Sequence, residues 1–115
     1  MTAAQTLLEC GMVIANQGRW CQHKLAVNKS GREIDPKSHG AIKWHACGIP
    51  YAVLKVKVHD FNNKKLDEVG ECLAHLSKSA YILYKMTESQ VNDQLGHEAT
   101  VEMFRHAVRR ARVRA

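Results

Sequence analysis

Apolar residues recur at three- and four-residue steps in three stretches of this chain, and each such stretch predicts a helix. In the first, Leu7, Gly11 and Ile14 form one row with Leu8, Met12 and Ala15 beside it. Thr2 is its N-cap, and Gly18 supplies a stop after about Gln17. In the second, Leu66, Val69, Leu73, Leu76, Ala80 and Leu83 follow a cap at Asn62 or Asn63. Asp67 and Glu68 fall in its first turn, where the helix dipole favours acids. In the third, from about Glu98 or Ala99 to Arg112, Val101, Phe104, Ala107, Val108 and Ala111 face inward, with Glu102, Arg105, Arg109 and Arg112 outward. Just before it, Thr87-Glu88-Ser89-Gln90 has capping-box spacing and opens a short helical turn through Val91–Leu95 that Gly96 ends.

The remaining segment is less periodic. Trp20–Val27 has no helical cap and runs into the turn residues Asn28-Lys29-Ser30-Gly31, so it reads as extended or irregular. Asp35-Pro36 reads as an N-cap with a first-turn proline, opening a further helical region in which Ile42, Ala46, Ile49 and Val53 share a face. Gly48 and Pro50 impose a kink or break near Ile49, because an interior proline removes a hydrogen bond and clashes one turn back. Leu54–Val58 alternates apolar and charged residues, and helix continuation is preferred there over a short strand. The expected fold is all-α or nearly so: about four helices around one core, an irregular or extended segment at 20–34, and a single helical domain over 1–115.

At 115 residues and 45% apolar composition the chain can bury a real core. Its longest apolar run, Ile49–Leu54, is far short of the roughly 20 residues a bilayer span needs, so no membrane association is expected. The N-terminus lacks the basic flank and apolar run of a secretory signal, so the four cysteines are expected as reduced thiols in the cytoplasm.

Charge is distributed in blocks. Residues 19–65 carry ten bases against three acids, residues 66–104 two bases against seven acids, and residues 105–115 five arginines with no acid. Arg105, Arg109, Arg110, Arg112 and Arg114 are therefore the first place to seek an anionic partner, with nucleic acid or phosphate as one class. The bland alternative is a solvated helix end, where cations are stabilising anyway.

A resemblance emerges from the order of short elements. A first helix ending in Gly18 is followed by Trp20-Cys21-Gln22, then Trp44-x-x-Cys47-Gly48, then Asn92-Asp93-x-x-Gly96-His97 leading into an amphipathic helix. This resembles a family of small uncharacterised proteins from actinobacteria and their phages, which carry Gly-Trp-x-Gln, Trp-x-x-x-Gly-Ala-Leu and Trp-Asn-Asp-x-x-Gly elements in this order. Here Arg19 separates Gly18 from Trp20, Val91 stands in place of the tryptophan before Asn-Asp, and Ile49-Pro50 replaces Ala-Leu. The resemblance implies a mainly helical, phage-related domain and carries no activity with it. Trp20, Gln22, Trp44, Gly48, Asn92, Asp93 and Gly96 are its motif residues. Their expected role is structural: indoles anchored on carbonyls, Gln22 as a polar partner, and an Asx turn before the last helix.

Three function classes follow. The favoured one is a non-enzymatic binding or accessory module that recognises a protein partner or self-associates, for which an exposed apolar patch around Tyr51, Tyr81 and Tyr84 would be the discriminating feature. The second is nucleic-acid or phosphate binding through the terminal arginines. The third is a small enzyme or zinc protein. Cys21-x-His23 with His45-x-Cys47 supplies the ligand types of a tetrahedral zinc site, though one-residue gaps are tighter than the usual two to four. Cys21 beside His45 or His97 would be the nucleophile and base, with Asp93 as an alternative base or ligand. No cofactor is otherwise expected, since P-loop, dinucleotide, nucleophile-elbow and HExxH patterns do not occur.

Overall fold

Helix α1 (Ala3–Ile14) begins where Thr2 and Gln5 cap one another: Thr2 Oγ1 accepts from the Gln5 N–H at 3.1 Å, and Gln5 Oε1 accepts from the Thr2 N–H at 2.8 Å. The computed structural model describes residues 2–113, and Arg114 lies outside the described residues. The helix stops short of Gln17 because Asn16 Oδ1 accepts from the Gly18 N–H and bends the chain into a single tight turn, Gln17–Arg19.

The 20–34 segment is irregular with a short extended stretch, as the sequence suggests, and contributes strand β1 (Ala26–Val27). Asn28 Oδ1 accepts from Ser30 N, Ser30 Oγ and Arg32 N, and Gly31 takes a positive φ of 81°, which closes the expected turn. The helix expected after Asp35-Pro36 does not form. Asp35 Oδ1 caps only a turn, accepting from Lys37 N at 2.9 Å, while its Oδ2 accepts from Val58 N at 3.2 Å. The chain then turns through Ser38 and Gly40 into strand β2 (Lys43–Trp44), which pairs antiparallel with β1 in the register Ala26–Trp44 and Val27–Lys43. Ile42 is accordingly exposed rather than inward.

Helix α2 (Ile49–Leu54) starts at the expected break, with Pro50 in its first turn, where the missing N–H costs nothing. It ends at Lys55 in left-handed conformation, so helix continues no further than Leu54, Lys55–Val58 is neither helix nor strand, and Val56 is buried from a loop. Helix α3 (Lys65–Tyr84) follows Asn63, whose Oδ1 accepts from Lys65 N at 2.9 Å. Val69, Cys72, Leu76 and Ala80 are its buried row, whereas Leu83, expected inward, is 40% exposed.

The Thr87–Gln90 capping box forms as expected around α4 (Glu88–Gln90). The chain continues as one wider π turn over Val91–Leu95, ended by Gly96 at φ 95°. Helix α5 (His97–Val113) then packs against both α1 and α3, burying Met103, Phe104, Ala107, Val108 and Ala111. Phe104, Leu7, Ile14, Leu76 and Met103 form the centre of the main core, and Leu54, Val56 and Val69 a smaller cluster beside it. The fold is therefore mainly α-helical, with a single two-stranded ladder among the described residues. No helix among the described residues is long and apolar enough to cross a membrane.

Candidate functional site

The π turn points Asn92 into the protein, where it is fully buried. All four hydrogen-bonding positions of its amide are used. Oδ1 accepts from Trp20 Nε1 at 2.8 Å and from the Ala46 N–H at 2.9 Å, while Nδ2 donates to the Cys21 carbonyl at 3.0 Å and to Asp93 Oδ1 at 3.0 Å. This pattern fixes which amide atom is oxygen. Gln22 Nε2 adds a bond to the Asp93 carbonyl at 3.1 Å. One turn of helix thus holds the Trp20–Gln22 segment and the approach to α2 together. Trp44 instead donates to the Pro36 carbonyl at 3.0 Å, the indole-to-backbone anchor expected of both tryptophans. The indole of Trp20 bonds a side chain rather than a carbonyl.

Asp93 sits at the edge of this node, its side chain 19% exposed. Its Oδ1 also accepts from the His23 N–H at 2.9 Å and from His45 Nε2 at 3.0 Å. Burial works to raise the carboxyl. The His23 N–H, the Asn92 amide and the two imidazoles outweigh it, and leave the group below the usual carboxylate range. His45 is buried, and its Nδ1 accepts from the Cys47 N–H at 3.0 Å, which assigns the proton to Nε2. Burial holds its pKa below the ordinary imidazole value, outweighing the Asp93 carboxylate.

An Asp–His pair invites a catalytic interpretation, and the geometry argues against one. Both ring nitrogens of His45 are already engaged, so neither can take a proton from Cys21. His97, the other base considered, donates Nε2 to the Ile14 carbonyl at 2.7 Å and packs its ring on Trp20. The thiols are poorly activated: burial pushes Cys21 up to about 11 and Cys47 up to about 12. The zinc quartet is divided likewise. Cys21 Sγ lies 3.3 Å from the Lys24 carbonyl, His45 is committed as above, and Trp44–Cys47 is strand and turn rather than the helix its pattern suggests. Among the described residues no group of three or more His, Cys, Asp or Glu side chains has metal-binding spacing. The four cysteines are all free thiols.

The arginines separate by face. Arg105, exposed, pairs with Glu102 at 3.3 Å, and Arg109 and Arg112 are exposed one and two turns further on. Arg110 lies on another face, half-buried, with an Nε that has no hydrogen-bond partner among the described residues. Arg105, Arg109 and Arg112 form one wall of a groove of roughly 480 Å³ between α1 and α5. Its floor is apolar, made by Leu7, Gly11, Phe104 and Val108, and its opposite wall is Leu8, Met12 and Ala15. Gly11 packs against Phe104 where the helices meet; a Cβ there would lie in ordinary van der Waals contact with Phe104 Cβ, at 3.4 Å.

Leu8 is 43% and Met12 69% exposed. The sequence pattern contained this feature in disguise: the Leu7 row enters the core, whereas the neighbouring Leu8 row does not. The tyrosine patch that would mark such a module elsewhere does not form as a unit. Tyr51 packs on the small cluster, Tyr84 on the edge of the main core, and Tyr81 alone is exposed, beneath Lys85. Compared with known proteins, the chain matches no family model, no curated protein and no solved structure.

Proposed function

We propose that this protein is a non-enzymatic binding module that receives a protein partner in the α1/α5 groove. The observation that carries this reading is the juxtaposition of exposed Leu8 and Met12 with a buried apolar floor, in a concavity that no described residue fills. Methionine suits such a surface, being flexible and polarisable. A helix pair with an open apolar seam is a recurring seat for a partner helix.

Nucleic-acid binding through the same arginines is the second reading. It is weaker because the wall they form faces apolar side chains rather than stacking platforms.

Selection of a random peptide library on the folded protein tests the proposal. Binders should shift the backbone amides of Leu8, Met12, Val101 and Arg105 in NMR spectra and lose affinity for Met12→Glu, an exposed change that leaves the fold intact. Binders that map elsewhere, or bind Met12→Glu equally well, remove the reading.

A further inference from the structure

Resting on that reading of the groove, we infer that its occupant is an amphipathic helix of another protein whose apolar stripe is flanked by acidic residues on one side. The two walls differ in chemistry, and this asymmetry selects the partner. One wall offers Leu8 and Met12; the other offers Arg105, Arg109 and Arg112 at steps of four and three residues along α5. Side chains at that spacing lie on one edge of the helix, so they form a line of positive charge beside the apolar seam. Arg109 and Arg112 form no ion pair among the described residues, and their positive charge is available to a ligand.

Length and shape also point to a helix. From Val101 to Arg112 the seam extends about 16 Å along α5, room for about three turns of a docked helix. Glutamates on such a helix at four- and three-residue steps match the three guanidinium groups, and each can accept a forked pair of hydrogen bonds. The chain's own exposed helix faces do not meet this description. On α3 the acids Asp67, Glu68 and Glu71 cluster in the first two turns, whereas the exposed Tyr81, Ile82 and Leu83 lie at the opposite end. On α1 the exposed Leu8 and Met12 have a single acid beside them, Glu9, and they already line the groove, so a second copy offers no apolar stripe with a row of acids and the helix comes from a different protein.

The test uses the whole chain and two synthetic helical peptides with the same three-turn leucine stripe, one flanked by glutamate and the other by glutamine. The glutamate peptide should bind about 10–100-fold tighter at low salt, the sum expected of three partly exposed ion pairs. That advantage should vanish at high salt and in an Arg105→Gln, Arg109→Gln, Arg112→Gln variant whose circular dichroism is unchanged. Equal binding of both peptides overturns the inference while leaving the groove as a docking site. Binding of neither peptide, when library binders still map to the groove, overturns it as well; failure of both experiments removes the groove reading itself. Tighter binding of anionic vesicles or single-stranded DNA than of the glutamate peptide, lost in the triple variant, would reassign the wall to a different polyanion and overturn it too.

Discussion

The indole N–H of Trp20 donates to Asn92 Oδ1 at 2.8 Å, joining residues 72 positions apart at the centre of a fully satisfied polar node. The same oxygen receives Ala46 N–H, so one side chain ties together the segment after α1, the approach to α2 and the turn before α5. Asn92→Ala leaves two donors and two acceptors without their partner and should destabilise the fold by about 3–5 kcal/mol. Asn92→Asp, despite its matching shape, turns an oxygen toward the Cys21 carbonyl and the Asp93 carboxylate, and should also be strongly destabilising. Urea denaturation measures both. Wild-type midpoints in either variant contradict a structural role for the node.

Two glycines should respond in opposite directions to alanine. At Gly48 an added Cβ would lie 2.0 Å from the Leu25 carbonyl oxygen, a backbone atom that cannot move aside cheaply. Gly48→Ala should cost about 3 kcal/mol or more, or prevent folding. At Gly70, inside α3, a Cβ meets nothing within 4 Å. Gly70→Ala should therefore stabilise by about 0.5–1 kcal/mol, because alanine is the better helix former. A thermal melt of Gly48→Ala at or above the wild-type value would count against the close approach at Gly48, and a lowered melt of Gly70→Ala against the open site in α3.

Stability should fall in two stages on acidification. His45 is held below its ordinary value, chiefly by burial, so below about pH 6.5 the unfolded chain binds more protons than the folded one. Its contribution is complete above that pH and is lost as pH decreases through it. His106, depressed by burial and by Arg109 and Arg110, acts in the same sense. Asp93 is depressed below the carboxylate range, so its contribution is present above about pH 4 and is lost on further acidification. Urea midpoints at about pH 7.5, 5.5 and 3.5 should decline in that order, and His45→Gln should reduce the first step. A midpoint that rises on acidification contradicts the assignment.

Thiol chemistry separates the binding module from a cysteine enzyme. Cys21 is pushed up to about 11 and Cys47 and Cys72 to about 12, in each case chiefly by burial, and Cys10 is raised as well. At neutral pH all four should react slowly with a disulfide reagent in the native protein and rapidly in urea, because the thiolate is the reactive form. One fast thiol, abolished by Cys21→Ser, would restore the nucleophile hypothesis.

Much of this architecture was legible in local sequence. Thr2 with Gln5, and Thr87 with Gln90, are capping boxes whose partners lie three residues apart, and the α3 and α5 rows repeat with the helical period. Such features depend on near neighbours, so the residues alone specify them. Asp35-Pro36 misled for the converse reason. A cap and a proline permit a helix, but pairing of β1 with β2 offered the following backbone a competing set of hydrogen bonds.

The candidate sites were decided differently. Asn92 and Asp93 were expected to close an Asx turn on nearby backbone N–H groups, but their side chains bond Trp20, His23, His45 and Ala46 instead, 46 to 72 residues away, groups that come together only on folding. Likewise the sequence by itself determined that Leu8 and Met12 lie on the apolar side of α1 and that Arg105, Arg109 and Arg112 share an edge of α5. Only the tertiary structure decided that those edges meet in an open groove. The reason is packing: α1 meets α5 along the row of Leu7, Gly11 and Ile14, with Gly11 against Phe104, and the next row is left beyond the line of contact, facing solvent.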